Sequence, residues 1–322
     1  MQLLQKILNK FNGLHYGQEY LCLSKESFQY PLRAFLINNG HTIKDITGMH
    51  LFVGYSPLII ALSSSSVDPT PQTIDIVLSH KSLSPNENPE KKDAMALLSL
   101  KKIRQLDVDG DIILFYEGIK GSHHFVSSFH QFMIQLNNSL YNQKQGNIFL
   151  KNNLYTQVQI AYAIPRKICL VTVGQNNLYN HFPTDLHGQI NDRYIISLRH
   201  EGKACQQVDW VKKIVLSDMP TSAYKKVYEL GKNHMQPLKE KSAFDFDLTC
   251  SRNFNLPLPK NLLSYKELKL EDSFIHGIHK LLLFKIVYEE KTAYEPETLA
   301  HIHNCYATWR YKHRISSNLL LR

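Results

Sequence analysis

The stretch KICLVTVGQNNLYNHFPTDLHGQINDRYIISLRH occupies residues 167–200 and decides the predicted fold. Short runs of branched and aromatic residues alternate in it with turns rich in Asn, Gly, Pro and Asp, a pattern typical of short strands. Comparable runs stand on either side, namely YTQVQIAYA at 155–163, KKIVLS at 212–217 and KLLLFKIV at 280–287. Strands of this length and spacing predict a small antiparallel barrel in the second half of the chain.

Two helices are predicted beside these strands. Residues 222–230 lie between the capping candidates Thr221 and Ser222 and the closing Gly231, which predicts a short helix. Beyond Pro296, apolar residues at helical spacing predict a terminal helix that covers the barrel or a neighbouring subunit. Its stripe consists of Leu299, Ile302, Tyr306 and Trp309.

The first half shows a similar mixture of strands and helices. Apolar residues between Leu3 and Phe11 have helical spacing and end at Gly13, which predicts an N-terminal helix. Strands are predicted within residues 48–62, 73–79 and 111–118, and residues 82–93 and 137–146 are predicted to be loop and linker. A further helix should pack its apolar face in the core or a domain interface. That face comprises Phe125, Phe129, Phe132, Met133, Leu136 and Leu140.

The order of the segments raises the question of an internal repeat. The apolar residues after Pro57 resemble those after Pro165, and residues 68–80 resemble residues 182–200. The strand DIILFYEG at 111–118 and the helix after it resemble the strand KLLLFKIV and the helix after it. The spacings differ, and the second half carries an insertion at 231–259. Duplication and chance likeness of short apolar strands therefore remain alternatives.

Length and composition indicate a folded protein. The chain has 322 residues, 43% hydrophobic and 20% charged, so we expect two domains, at residues 1–146 and 147–322. No apolar run is long enough to span a bilayer, and the opening MQLLQKILNKFNG does not fit a signal peptide. Five scattered cysteines without a CxxC pair predict a reducing, cytoplasmic setting, and we expect no membrane partner.

The net charge and the absence of common sequence motifs limit the classes of protein to which this chain can belong. The 37 basic and 28 acidic residues give a net charge of +9, which suits a phosphate-bearing cofactor or a nucleic acid. Because the basic residues are scattered in ones and twos, nucleic acid is the less favoured partner. The motifs GxGxxG, GxxxxGK[ST], HExxH and GxSxG are absent, which disfavours Rossmann, P-loop, zincin and α/β-hydrolase enzymes. His301, His303 and Cys305 do not predict a metal site, because a helix would place only two of them on one face.

Three polar segments remain, and their order resembles a known family. NHFPTDLHGQI at 180–190, YIISLRH at 194–200 and LGKNH at 230–234 lie between IPRKICLVTVG at 164–174 and GIHKLLLFKIV at 277–287. Over roughly residues 155–287 the chain thus resembles the flavin reductase-like proteins. The resemblance implies a mainly β fold with flanking helices, an FMN-binding split β-barrel. If the first half is a degenerate copy, the chain holds two tandem split barrels that form an intramolecular pseudo-dimer; otherwise a homodimer is expected.

The resemblance also implies site residues. An FMN phosphate carries about two negative charges and needs hydroxyl groups and cations, for which the candidates are Thr184, Ser197, Arg199 and Lys232. The flavin ring needs donors along its edge, for which the candidates are Asn180, His181, Asn233 and His279. Asp185 and His234 complete the set of cofactor candidates. His279 is the predicted catalytic residue, although Ile278 and Lys280 replace the acidic and hydroxyl neighbours usual in the family.

The implied activity is hydride transfer from NAD(P)H to flavin. Because the hydride passes directly from nicotinamide C4 to flavin N5, no protein nucleophile is required. The alternative is a non-enzymatic flavin-binding or structural module. Each segment also has a purely structural explanation: Asp185 in a turn, Gly231 as a helix cap and Arg199 as a surface ion-pair partner.

Overall fold

The computed structural model describes residues 2–16, 20–24, 31–38, 41–64, 71–84, 87, 93–108, 110–141, 150–290, 297–315 and 319–321. The first half contains α1 (Gln2–Phe11), β1 (Tyr20–Ser24), β2 (Arg33–Asn38), β3 (His41–Asp45), β4 (His50–Tyr55), β5 (Leu58–Ser63), β6 (Thr73–Ser79), β7 (Ala96–Val108), β8 (Asp111–His123) and α2 (Ser128–Tyr141).

The second half begins with α3 (Asn153–Ala161), β9 (Arg166–Lys167), β10 (Cys169–Gln175), β11 (Leu178–Thr184), β12 (His187–Ile190), β13 (Arg193–Arg199), α4 (Lys203–Val211), β14 (Lys213–Asp218) and α5 (Tyr224–Glu229). It continues with β15 (Lys239–Glu240), β16 (Phe246–Cys250), β17 (Pro257–Pro259), β18 (Ser264–His276), β19 (His279–Glu289), β20 (Leu299–His303), α6 (Asn304–Lys312) and β21 (Leu319–Leu321).

Two large antiparallel sheets have the same connectivity. Read from one edge, the first sheet has the order β4-β5-β8-β7-β6-β2-β3 and the second β12-β13-β19-β18-β14-β10-β11, with β15 added at its end. A third sheet, β21-β1-β20-β9, joins strands from both ends of the chain. The chain is mainly β with a curled, half-barrel sheet and few helices, which confirms the predicted fold class of a split barrel with flanking helices.

The two large sheets pack face to face through an apolar layer that we call the seam. Its buried side chains come from both sheets: Val53, Ile59, Ala61, Ile113, Phe115, Ile190, Ile195, Phe274, Leu281 and Leu283. The outer face of the first sheet packs against α3 and α6, and the outer face of the second packs against α4. Both sheets are therefore buried on two sides, which explains why β5 is buried at every position and β13 at every position but its last.

Most of the predicted elements are confirmed, but residues 155–163 are not a strand. They lie in α3 and its following turn, and every residue from Tyr155 to Ala161 is buried. The alternation of polar and apolar residues suggested a strand. In the helix the polar residues bond inward: Gln159 Oε1 lies 3.1 Å from His123 Nε2, and Thr156 Oγ1 accepts from Gln135 Nε2 at 3.2 Å.

The predicted terminal helix is correct only in its second part. Leu299 and Ile302 belong to β20, which pairs with β1 and β9, and α6 begins after His303, whose side chain accepts from the backbone of Cys305. Pairing with a distant strand has overridden the local helical spacing. The predicted cap Gly13 is left-handed, with φ 64°, whereas Gly231 lies inside the 3₁₀ turn Leu230–Met235.

The helix after β8 faces the opposite way from the prediction. Phe125 and Ile134 are buried, but the rest of the expected core face is largely exposed, namely Phe129, Phe132, Leu136 and Leu140. These four residues are therefore not packed in the core of this chain.

The connectivity corrects the proposed alignment of the halves. By its place in the sheet, β5 after Pro57 corresponds to β13 and not to β10 after Pro165, and β6 corresponds to β14 and not to β13. The correspondence of β8 with β19 agrees with the prediction. The proposed domain boundary at 146/147 and residues 68–70 of the supposed repeat lie outside the described residues.

Candidate functional site

Two of the three polar segments meet along β11. The side-chain amide of Asn180 donates to the backbone oxygen of Asn233 at 3.0 Å, and the amide of Asn233 donates to the backbone oxygen of His181 at 2.8 Å. His234 Nε2 lies 2.8 Å from the backbone oxygen of Pro183. The LGKNH segment is thereby fixed against the NHFPTD segment, although about fifty positions separate them in the chain.

The third segment ends beside them. A Cβ atom on Gly202 would lie 3.2 Å from the Arg199 oxygen and 3.5 Å from the His234 oxygen, so the turn after β13 touches the LGKNH segment. Arg199 is exposed, pairs with His279 across the β13–β19 ladder, and donates from Nε to the Tyr55 hydroxyl at 2.7 Å. Since Tyr55 belongs to β4, the three segments meet where the second sheet borders the first.

His279 is held between the two sheets. The Tyr55 backbone N–H donates to its Nε2 at 3.1 Å, so the neutral ring carries its proton on Nδ1, which donates to Ser197 Oγ at 3.0 Å. Burial and the nearby Arg199 charge lower the pKa of His279 to about 3. Both ring nitrogens of the predicted catalytic residue are therefore bonded within the protein, and so is the Ser197 hydroxyl.

Asp185 lies behind the site in a buried polar cluster. Its carboxylate accepts hydrogen bonds from the Tyr162 hydroxyl at 2.9 Å and from His301 Nδ1 at 2.8 Å. Burial alone would raise the pKa of Asp185, but the His301 and Tyr162 hydrogen bonds and the Arg166 charge lower it to about 2. The carboxylate is thus occupied by neighbours from α3 and β20.

The remaining candidates differ in accessibility. Thr184 is the buried last residue of β11, paired with Cys169, while Lys232 is exposed. Burial lowers the pKa of His234 and that of His181 to about 4, so both imidazoles are neutral near pH 7. Arg199 and Lys232 are therefore the two site cations placed to meet an anion from solvent.

The predicted FMN contacts differ in how free their side chains are. The exposed guanidinium of Arg199 and the ammonium of Lys232 suit a phosphate. The amides of Asn180 and Asn233 and the imidazole of His279 bond to protein atoms, so they hold the polar segments together. The residues present therefore fit the phosphate end of FMN better than the ring-edge roles assigned from sequence.

Several residues that shape the site carried no local signal in the sequence. Gln207 on α4 accepts from the Asn180 amide at 2.7 Å, and Tyr55 reaches the site from the other half of the chain. Arg166 is buried and donates to the Phe52 backbone oxygen at 2.5 Å. None of these contacts is local in sequence, so periodicity and motif spacing could not reveal them.

Two further observations bear on the kind of site. In the described ranges, no group of three or more His, Cys, Asp or Glu side chains is arranged to hold a metal ion. None of the helices in that same part of the chain has the length and apolar character needed to cross a membrane.

Comparison with known proteins gave matches among solved structures only. No family model matches the sequence, and no curated protein matches it. The NADH:FAD oxidoreductase SgcE6 of Streptomyces globisporus is 13% identical over 46% of this chain and 88% of its own, with a TM-score of 0.41. BorF, the flavin reductase component of a bacterial two-component tryptophan halogenase, is 13% identical over 52% of this chain and 98% of its own, with a TM-score of 0.42.

An FMN-binding protein from Thermus thermophilus is 17% identical over 40% of this chain and 73% of its own, with a TM-score of 0.36. These three solved structures, an NADH:FAD oxidoreductase, a flavin reductase component and an FMN-binding protein, are each similar to between 40% and 52% of this chain.

Proposed function

We propose that this chain is an FMN-binding, flavin reductase-like oxidoreductase that transfers hydride from NAD(P)H to flavin. The observation that carries the proposal is the convergence of the NHFPTD, SLRH and GKNH segments at one end of the second sheet. These are the segments whose order resembles the family. Arg199 lies at the border between the sheets through its bond to Tyr55, and the exposed Lys232 belongs to the LGKNH segment that packs against the turn after β13.

In this proposal the residues have three tasks. Arg199 and Lys232, with the Thr184 hydroxyl, bind the phosphate. Asn180 and Asn233 fix the two backbone segments against each other, and His181, Asp185 and His234 support the same turn. FMN, held by these residues, would supply the redox chemistry of hydride transfer. The chain therefore has only to bind and orient the two rings.

His279 then acts as a positioning residue. It joins the backbone of Tyr55 to the hydroxyl of Ser197, and Tyr55 in turn accepts the hydrogen bond from Arg199. Because its pKa of about 3 keeps it neutral at physiological pH, it supplies no proton to a reduced flavin under those conditions.

We also propose that the chain forms an intramolecular pseudo-dimer of two split barrels, with units at 1–146 and 147–322. The matching strand orders and the face-to-face packing at the seam support this arrangement. The described cysteines are all free thiols, which suits the proposed reducing, cytoplasmic setting. A single chain would then provide both halves of the site, and the protein should be monomeric with one flavin per chain.

The binding claim is tested by FMN titration, followed as quenching of flavin fluorescence. The double variant Arg199→Ala/Lys232→Ala should weaken binding by at least about tenfold, since it removes both exposed cations. The matched control Arg104→Ala/Lys269→Ala removes two exposed cations elsewhere and should bind as the wild type does. No binding at high micromolar FMN would refute the proposal, and equal affinity of all three proteins would show that the site is misplaced.

A non-enzymatic flavin-binding module is the second candidate, and the internal bonding of both His279 nitrogens favours it. The two functions are separated by mixing protein, FMN and NADH or NADPH without oxygen. Loss of the visible absorbance of oxidised flavin, faster than with free FMN, supports the reductase. Tight FMN binding without bleaching by either nucleotide would establish the module instead.

A further inference from the structure

Helix α2 turns two amide side chains toward the protein and four apolar side chains toward solvent. Gln131 Nε2 donates to the backbone oxygens of His123 at 2.8 Å and Val126 at 3.0 Å. Asn138 Nδ2 donates to the backbone oxygen of Leu150 at 3.0 Å. The inward side of α2 is therefore anchored by amide hydrogen bonds around the buried Ile134, the reverse of an ordinary surface helix.

The outward side forms a continuous apolar stripe. Its members recur at helical spacing on one face of α2, with exposed fractions as follows: Phe129 66%, Phe132 62%, Leu136 41% and Leu140 63%. The end of α1 lies alongside, because Asn137 Nδ2 donates to Asn12 Oδ1 at 2.6 Å. Phe11, next to Asn12, is 62% exposed. We call these five side chains the apolar stripe.

The helices beside the apolar stripe contain no acidic residue. This holds for α1, α2 and α6, whose sequences are QLLQKILNKF, SFHQFMIQLNNSLY and NCYATWRYK. Four cations on or near these helices are exposed, namely Lys10, Lys151, Lys312 and Arg314. The charges that these helices bring to the surface near the stripe are therefore basic.

A basic cavity adjoins the end of α1. It has a volume of about 460 Å³ and is lined by Tyr311, Lys312, Arg314 and Ile315. Lys312 Nζ donates to the Gly13 backbone oxygen at 3.0 Å, and the Tyr311 ring stacks on His15 at 3.4 Å between centroids. Protruding apolar side chains thus stand next to a concave site with two cations.

We propose that this face docks on the surface of an anionic lipid bilayer. The apolar stripe would enter the acyl boundary, and the surrounding Lys and Arg side chains would meet lipid phosphates, as at the interface-bound helices of peripheral proteins. The proposal differs from the sequence-based expectation of no membrane partner and requires no helix to cross the bilayer. The inference is independent of the flavin site, because α2 packs on the side of the first sheet away from the seam.

The basic charge of this face favours an anionic bilayer over a second copy of the chain as its partner. Pairing two such faces would bring these basic groups together, and α1, α2 and α6 hold no acidic group to compensate them. A nucleic acid would satisfy the charge, but its phosphate surface offers little to aromatic and leucine side chains that protrude from a helix. An anionic bilayer offers its acyl boundary to the apolar side chains and its phosphates to the basic ones.

The test is flotation of the full chain with phosphatidylcholine vesicles containing phosphatidylglycerol, and with pure phosphatidylcholine vesicles. The wild type should bind the anionic vesicles, and binding should weaken as salt shortens the screening length.

Phe129→Ser/Phe132→Ser/Leu140→Ser should lower the partition coefficient at least about tenfold. The control Trp210→Ser/Leu248→Ser/Ile275→Ser removes three exposed apolar residues elsewhere and should bind normally. Lys10→Glu/Arg314→Glu should also bind less.

Circular dichroism and thermal melting of each variant show whether its fold is kept, as expected for exposed positions. The proposal is overturned if the wild type fails to bind anionic vesicles or binds both vesicle types equally. It is also overturned if the triple serine variant binds as the wild type does. A dimer in light scattering that the triple variant abolishes would assign the stripe to a second copy. Salt-dependent binding of duplex DNA without any vesicle binding would assign the face to nucleic acid.

Discussion

At the residue scale, His279 links the two sheets through hydrogen bonds that a sequence cannot show. Replacing it by Leu would leave the Tyr55 N–H and the Ser197 hydroxyl without their partner. Because such buried groups lose their hydration on folding, His279→Leu should lower the free energy of unfolding by about 2–4 kcal/mol. Urea denaturation measures this change. His279→Gln, which keeps both an acceptor and a donor, should lose less; equal losses would contradict the assigned bonding.

Buried histidines also predict how stability depends on pH. Burial lowers the pKa of His123, His181 and His187 to about 4 and that of His279 to about 3. In the unfolded chain these rings protonate near pH 6.5, so the unfolded state binds more protons below that pH and the folded state is destabilised. One such histidine costs about 2 kcal/mol between pH 6.5 and 5.

The unfolding midpoint in urea should therefore fall steadily as the pH is lowered through this window. Asp185, with its pKa lowered to about 2, loses its contribution only below about pH 4, so it does not account for the same decline. His187→Gln removes one titrating ring and should flatten the slope, whatever its effect at pH 7.5. A midpoint that is constant from pH 7 to 5 would mean that these rings are not buried as neutral groups.

At the element scale, local patterns predicted strands well and long-range pairing poorly. The strands within residues 167–200 were predictable because branched residues and turn residues alternate there. For α3, the alternation of polar and apolar residues suggested a strand. Because this helix is buried on all sides and its Gln side chains are hydrogen-bonded inside the protein, its sequence shows no amphipathic helical pattern. β20 could not be predicted because its partner β1 lies almost three hundred residues away in the chain.

The contact between the β18–β19 hairpin and the β4–β5 turn can be tested at Gly277. Gly277 has φ 58°, and a Cβ atom there would lie 2.3 Å from the Ser56 oxygen. The next residue, Ile278, donates its N–H to that same oxygen at 3.1 Å. Gly277→Ala should therefore destabilise the fold by about 2 kcal/mol or more in chemical denaturation, from the left-handed backbone and the overlap together.

Gly48→Ala is the matched control, since a Cβ atom at Gly48 meets nothing within 4 Å. It should be close to neutral. A similar small effect at both glycines would show that the hairpin is not pressed against the β4–β5 turn.

At the scale of the whole molecule, the shared strand order relates positions that the sequence did not align. Ser63 pairs with Ile113, the third residue of β8, and Ser197 pairs with Leu281, the third residue of β19. The sequence comparison favoured the two prolines instead, because a short apolar strand carries too little information to fix its place in a sheet. The motif resemblance correctly indicated the fold class, while the bonding of His279 and Asp185 depended on contacts across the whole chain.

A close approach across the seam tests whether the two sheets unfold as one unit. A Cβ atom on Gly188 of β12 would lie 2.4 Å from a methyl carbon of Leu51 on β4. Gly188→Val should therefore cost about 1–3 kcal/mol by overpacking, and Leu51→Ala alone should cost less, because Leu51 is only partly buried.

If the sheets are coupled at this point, the double variant should be more stable than the sum of the single changes predicts, by about 1 kcal/mol or more. Near-ultraviolet circular dichroism and intrinsic fluorescence should then report one shared unfolding transition for all four proteins. Additive effects, or two separate transitions in the wild type, would show that the halves fold independently and that the seam is not a structural interface. A single transition with strong coupling is expected, because each large sheet covers a face that the other would otherwise expose to water.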